Sequence, residues 1–222
     1  MALFTRSPKT TMVSREDALP GHEARPFSVP ARHAVLGTPL EGPWPAGTEV
    51  LYVAMGCFWG AERTFWRQPG VVTTAAGYMG GYTPNPAYED TLTNRTGHTE
   101  TVLVAYDPAG TSAEELMRVF WESHDPSQVM RQGNDVGTSY RSAVYWTTEG
   151  QRTAVDATLD AFSPRLREAG YGEVATELRP ASDAGPFYYA EDYHQQYLHK
   201  VPNGYCGIGG TGVTCPVGVV GA

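Results

Sequence analysis

Between residues 49 and 180 the spacing of apolar and polar residues changes period several times, and each change marks an element. Val50 to Met55 is a short apolar run and predicts a buried strand. Phe58, Ala61, Phe65 and Trp66 then recur at helical spacing, which predicts a helix from Phe58 to Gln68 stopped by Pro69-Gly70. A second strand follows over about Val71 to Tyr78, and Thr99 to Tyr106 alternates with the two-residue period of a third. Ser112-Ala-Glu-Glu115 is a capping box, opening a helix that buries Leu116, Val119 and Phe120 and ends by Asp125-Pro126. Tyr140 to Trp146 predicts a fourth strand, then a helix runs near Glu149 to Glu168 and a further strand near Val174 to Leu178.

Strand, helix, strand, strand, helix, strand is the split βαβ order. It predicts an α+β fold: a two-layer sandwich with a ferredoxin-like core of mixed sheet plus helices. The flanks have a different composition. Residues 1–46 hold seven of the seventeen prolines and few large apolar side chains, so they read as an arm, at most partly draped over the domain. Residues 202–222 hold seven glycines and two of the three cysteines without any period, and read as a mobile, thiol-bearing tail. Residues 47–201 form the catalytic domain between the two coil-rich arms. No internal repeat is visible.

A chain of 222 residues with 41% hydrophobic content has enough apolar material for one globular core. Its net charge of −8 argues against nucleic acid, whose phosphates are bound by clustered Lys and Arg, and against an anionic membrane surface. No apolar run is long enough to cross a bilayer, and MALFTRSPKT lacks the apolar segment of a secretory signal, so a soluble, cytoplasmic protein is expected. Three unevenly placed cysteines do not make a disulfide scaffold. An odd set, one near the start of the domain and two in the tail, suits redox chemistry.

Gly56-Cys57-Phe58-Trp59-Gly60 lies where a strand passes into a helix. That position sets the Cys57 sulfur beside unpaired N–H groups at the positive end of the helix dipole, and both favour thiolate. Position alone fits an ordinary buried cysteine equally well, but a core cysteine needs neither a glycine-flanked turn nor two large aromatics beside it. Phe58 and Trp59 would wall a pocket suited to a soft, methyl-bearing substrate. In the third strand Glu100 shares a face with Val102, Val104 and Tyr106, so a buried face would keep its carboxyl protonated and able to donate. Tyr78, Tyr82 and Tyr88 in the loop from Gly77, with Asp135 and Tyr140 in RQGNDVGTSYRS, are further polar candidates.

GCFWGAER, AAGYMGGYTPNPAYED, TGHTE, HDPSQVMRQGNDVGTSYRS, EDYHQQYL and GYCGIGG, in this order from about Glu49 to Pro216, resemble the peptide methionine sulfoxide reductases of the A class. The resemblance implies that Cys57 attacks the sulfur of methionine-S-sulfoxide while Glu100 protonates the departing oxygen. Tyr88 and Tyr140 would hydrogen-bond that oxygen, Asp135 would organise polar groups, and Phe58 with Trp59 would hold the S-methyl group. Cys206 would resolve the Cys57 sulfenic acid as a disulfide, and Cys215 would attack Cys206, leaving a disulfide for thioredoxin or another dithiol to reduce. It further implies no cofactor and no metal, oxidised proteins or peptides as substrate, and a monomer. Ala87, where many relatives have threonine, and Leu92, where some carry an extra cysteine, depart from the common pattern without removing a role.

Two other readings use the same residues. A cysteine hydrolase or acyltransferase would pair Cys57 with His98, His124 or His194, but leaves Cys206 and Cys215 idle. A metal-binding module would draw on His194, His199, Cys206 and Cys215, whose spacings are poor for a structural zinc site.

Overall fold

The computed structural model describes residues 9–221. The elements in chain order are β1 (Glu49–Met55), α1 (Phe58–Phe65), β2 (Val71–Met79), α2 (Tyr88–Thr91), β3 (Thr99–Tyr106), α3 (Ala113–Ser123), β4 (Arg131–Gln132), β5 (Asp135–Val136), β6 (Ser142–Trp146), α4 (Glu149–Glu168), β7 (Glu177–Pro180), α5 (Ala181–Ala184), β8 (Tyr188–Tyr189) and α6 (Tyr197–Lys200). The main sheet has the order β7-β6-β1-β3-β2-β8, while β4 and β5 form a separate small hairpin. Only the β6–β7 pair is parallel, so the sheet is mixed. Its central four strands carry the split βαβ topology that the sequence pattern predicts.

Differences from the predicted elements are local. Helix α1 stops at Phe65, three residues before Gln68, because Trp66 is already its C-cap. Strand β6 starts at Ser142, since Tyr140 closes a single 3₁₀ turn with Thr138. Strand β7 lies at Glu177–Pro180 rather than at Val174 to Leu178. At the start of α3 the Ser112 hydroxyl accepts the Glu115 N–H at 3.1 Å, which is the cap the sequence signals.

One face of the sheet presents Leu51, Val53, Met55, Tyr78, Val102, Val104 and Val144 to α1, α3 and α4, which return Phe58, Phe65, Phe120, Trp121 and Phe162. This is the predicted helix layer. The other face is not left to solvent. Leu40, with Val29 and Trp44, packs on Ala75, Leu103 and Ala105, and Phe187 and Tyr189 join them. Residues 9–46 cannot build a core of their own, but they borrow an apolar sheet face, and Leu40 is fully buried there.

A polar chain ties this arm to α1. The buried Glu62 carboxyl accepts the Thr74 hydroxyl and both the backbone N–H and side-chain amide of Gln196. Thr74 spends its proton on Glu62, so it must accept from His33 Nε2, 2.9 Å away. His33 Nδ1 is then free to accept the N–H groups of Val35 and Leu36, as it does.

The tail is also seated. Ile208 and Val213 pack against the main core, and Cys215 is buried there. Glycine-rich composition suggests a mobile segment, yet three spaced apolar side chains suffice to dock it in this reduced state, in which all three cysteines are free. Among the described residues no helix is long and apolar enough to cross a membrane.

Candidate active site

Antiparallel pairing decides where the candidate residues meet. Strand β1 runs antiparallel to both β3 and β6, with Met55 opposite Ser142, so the end of β1 adjoins the beginnings of β3 and β6. The end of β2 arrives at the same edge, with Tyr78 opposite Glu100. Cys57 follows β1, Glu100 begins β3, Tyr140 precedes β6 and Tyr88 follows β2. A cavity of about 130 Å³ at this edge is lined by Cys57, Phe58, Trp59, Tyr88, Glu100, Asp135, Tyr140 and Tyr205. The structure thus brings together seven of the nine residues to which the resemblance gives a role, while the further candidates Tyr78 and Tyr82 do not line the cavity.

Gly56 makes the turn into α1. Its φ is +86°, and a Cβ there would lie 2.4 Å from Cβ of Gln132, so both backbone and space require glycine. The turn leaves Cys57 as N-cap of α1, 6% exposed.

The helix position favours thiolate, but burial outweighs it. Burial, followed by the charge of Glu100, pushes the Cys57 thiol well above its ordinary value. The N–H groups of Trp59 and Gly60 oppose this, although the sulfur closes no capping hydrogen bond.

Glu100 is buried as the strand alternation predicts, and burial pushes its carboxyl up to about 8. The Phe58 N–H donates to its Oε2 at 2.9 Å, a contact that pulls the other way and fixes the carboxyl one residue from Cys57. A carboxyl in this state carries its proton near neutral pH. Burial and the Glu100 charge raise Tyr88 and Tyr140 as well, so both hydroxyls stay protonated and can donate. Asp135 projects from the β4–β5 hairpin and is raised by burial.

Three supporting residues escaped the sequence reading. The Tyr205 hydroxyl lies 3.1 Å from each oxygen of Asp135 and closes the cavity next to Cys206. Tyr197 stacks on Trp59 with ring centroids 3.9 Å apart. Glu191 accepts the Tyr78 hydroxyl at 3.0 Å and the Tyr88 N–H at 2.7 Å, fixing the segment that carries Tyr88. Tyr197 and Tyr205 lie inside the quoted blocks EDYHQQYL and GYCGIGG, which was their only signal.

Of the three histidines that a hydrolase could recruit, His98 and His124 are bonded away from the cavity, while His194 backs its wall against Phe58, Trp59 and Tyr88 with Nε2 free of any hydrogen bond. His194 Nδ1 accepts the Trp59 indole N–H at 3.0 Å. His98 accepts the Gly81 N–H and meets the Thr83 carbonyl, and His124 bridges the Phe120 carbonyl and the Ser142 hydroxyl. None lines the cavity that holds Cys57.

The other two cysteines lie apart. Cys206 is exposed and its sulfur accepts from the Arg63 guanidinium at 3.0 Å. Cys215 is buried against α4, its N–H bonded to Glu122 of α3 at 2.9 Å, and burial pushes its thiol up to about 11.

Against known proteins, the family model described as peptide methionine sulfoxide reductase matches residues 49–212. The chain is 60% identical to the peptide methionine sulfoxide reductase MsrA of Rhodospirillum centenum over 217 residues, covering 98% of this chain and 97% of that one. It is 57% identical to the protein of the same name from Agrobacterium fabrum, covering 98% of this chain and all of that one (100%). Among solved structures, methionine sulfoxide reductase A of Corynebacterium diphtheriae superposes with a TM-score of 0.80 at 47% identity, covering 88% of this chain and 93% of that one. Reduced Mxr1 of Saccharomyces cerevisiae superposes at 0.68 with 29% identity, covering 75% and 92%.

Proposed function

This chain belongs to the peptide methionine sulfoxide reductase family, and on that premise we propose how its pocket works: Cys57 supplies the electrons, Glu100 the proton, and Cys206 then Cys215 carry the oxidation away. The chain is an oxidoreductase that reduces methionine sulfoxide. Its substrate is the S epimer in oxidised proteins or peptides, with the methyl group held by Phe58 and Trp59.

The reaction moves one oxygen and two electrons. Cys57 attacks the sulfoxide sulfur and forms a transient sulfur–sulfur bond; the oxygen then bonds to the Cys57 sulfur as its bond to the methionine sulfur breaks, and the sulfur–sulfur bond breaks with its electron pair going to methionine, leaving Cys57 as a sulfenic acid. Glu100 gives its proton to the oxygen as negative charge develops there, and the proton lost by Cys57 restores the carboxyl. Tyr88 and Tyr140 donate to the same oxygen. Asp135, held by Tyr205, orders the polar side of the pocket.

The Cys206 thiol then displaces the sulfenic oxygen as water and forms a disulfide with Cys57. Cys215 attacks Cys206, freeing Cys57 and moving the disulfide into the tail, where thioredoxin or another dithiol reduces it. Thiols supply all the electrons, so the scheme calls for no bound cofactor or metal. Because Cys215 rests in a core seat, residues 207–215 must leave α3 and α4 for this exchange.

The observation that carries the reading is the pairing of a buried carboxyl, raised to about 8, with two protonated tyrosine hydroxyls around one buried cysteine sulfur. That set serves proton delivery to an oxygen leaving sulfur, and lacks the histidine base that a cysteine hydrolase needs. The test is reduction of separated S and R epimers by the reduced protein without added reductant. Methionine should form from the S epimer with stoichiometric loss of thiols, and Cys57→Ser should form none. Equal rates for both epimers, or substrate turnover with every thiol retained, would overturn it.

A further inference from the structure

Arg63 has no place in the chemistry above, yet it touches one of the three thiols. It lies in the last turn of α1, half-buried, and its guanidinium Nη2 donates to the Cys206 sulfur at 3.0 Å. Among the described residues it forms no salt bridge. A role at the helix dipole alone would leave this cation free to point into solvent rather than onto a sulfur.

A second contact on the same helix points to the same seat. A Cβ built on Gly60 would lie 2.9 Å from Cδ1 of Ile208 and 3.1 Å from the Cys206 sulfur, so the tail packs directly on bare backbone at that position. Residues three apart on a helix have Cβ atoms about 5–6 Å apart, and positions 57, 60 and 63 form such a row. The sulfur of Cys206 therefore waits roughly one helical turn from Cys57, held by a glycine gap beneath it and a guanidinium beside it. Tyr205, bonded to Asp135, fixes the tail on the other side of that sulfur.

Resting on the assignment of Cys206 as the resolving thiol, we propose that Arg63 is a positioning residue that docks Cys206 on α1, so that the sulfenic acid on Cys57 is captured as soon as it forms. In the step it serves, the Cys206 sulfur bonds to the Cys57 sulfur and the sulfenic sulfur–oxygen bond breaks. The oxygen leaves as water with the hydroxyl proton it already holds and the proton of the Cys206 thiol. The guanidinium loses its partner as the disulfide forms, which frees the tail to present Cys206 to Cys215.

The test uses full-length protein in a Cys215→Ser background, where exchange cannot move the first disulfide. Methionine release and loss of free thiols are followed in the same quenched samples for Arg63, Arg63→Met and Arg63→Lys. In Arg63→Met methionine release should stay within about twofold, while disulfide formation slows by about tenfold or more, the order expected for losing one charge-assisted hydrogen bond. A sulfenic-acid trap such as dimedone should then label Cys57, and Arg63→Lys should recover most of the rate.

Unchanged disulfide formation in Arg63→Met overturns the proposal. So does an Arg63→Lys variant as slow as Arg63→Met, which would mark a merely structural residue. If Arg63→Met does not fold, Arg63→Gln and Arg63→Lys carry the same comparison. Failure of the protein with Arg63 intact to form a Cys57–Cys206 disulfide, read by peptide mass mapping, would instead remove the assignment of Cys206 and the proposal with it.

Discussion

Glu100→Gln removes a proton from the pocket while keeping its shape, because a glutamine carbonyl can still accept the Phe58 N–H that Glu100 Oε2 accepts at 2.9 Å. Positioned general acids contribute about 10²- to 10⁴-fold, so methionine release in a single turnover should slow by at least about 100-fold. Wild-type release should also fall as pH rises past about 8, where Glu100 loses its proton, and the glutamine variant should lack that limb. Stability should fall over the same rise in pH. The folded protein holds this proton more tightly than the unfolded chain does, since burial raises the carboxyl from 4.5 to about 8. The contribution is full below pH 4.5 and is lost as pH climbs through about 8. Each pH unit between those values is worth about 1.4 kcal/mol, so a few kcal/mol is the ceiling, and Glu100→Gln should melt higher than wild type at alkaline pH. Rapid-quench assays and melting curves between pH 6 and 9 measure both effects. A glutamine variant within about threefold of wild type would assign the proton to another group, and equal melting at high pH would mean that burial does not act on Glu100 as argued.

Alkylation of the reduced protein should modify exposed Cys206 first and buried Cys215 slowly, and oxidation by substrate should protect both as their disulfide forms while leaving Cys57 free; equal rates in the reduced protein, read by mass spectrometry, would refute the seat of Cys215. Gly56→Ala should cost at least about 1–2 kcal/mol through its left-handed backbone alone, roughly 2–8 °C in melting temperature for a chain of this size, with more from the contact against Gln132. Trp59→Phe loses the bond to His194 at 3.0 Å and should raise KM about two- to tenfold with smaller effect on the maximal rate, as steady-state kinetics would show. His33, His98, His124 and His194 are each lowered by burial from 6.5 to about 4, so the unfolded chain binds protons in that window that the folded one refuses. Stability should fall as pH drops from 6.5 toward 4, and a flat acid limb in chemical denaturation would contradict their neutral burial.

What the sequence made legible was whatever rests on local period or on contiguous residues. Helix α4 occupies the bounds predicted for it, and the structure adds the Thr148 cap at its start. The burial of Glu100 was legible because strand alternation assigns faces without any knowledge of partners. Other features depended on long-range contact and left no local trace. Residues 1–46 read as an arm at most partly draped on the domain, because the apolar face that Val29, Leu40 and Trp44 cover belongs to β2 and β3, distant in sequence. Glu191 reaches Tyr88 across 103 positions, and Tyr205 reaches Asp135 across 70, so neither pairing has a spacing signature. The tail misled in the opposite direction. Its glycines signal freedom, while Ile208, Val213 and Cys215 are too widely spaced to register as a periodic segment yet pack on the core.

The charge balance of the pocket bears on how the proposed reaction would activate Cys57. Three acidic groups, Cys57, Glu100 and Asp135, meet in one cavity, and no lysine, arginine or histidine lines it. Each anion therefore raises the cost of the next: beyond burial, Asp135 raises Glu100, and Glu100 and Asp135 both raise Cys57. Cys57 and Glu100 thus hold their protons near neutral pH, which keeps the thiol from ionising unaided. In the reaction proposed above, a bound sulfoxide would supply what the walls omit, with its positive sulfur end toward Cys57 and its negative oxygen end toward the donors Glu100, Tyr88 and Tyr140. Ionising Cys57 then no longer adds an uncompensated charge, and passing the Glu100 proton to the oxygen moves negative charge onto the carboxylate only as the sulfur–oxygen bond breaks. Methionine carries no such dipole, so the product forfeits the contacts that held the substrate, and its release follows from the same electrostatics that made the site reactive.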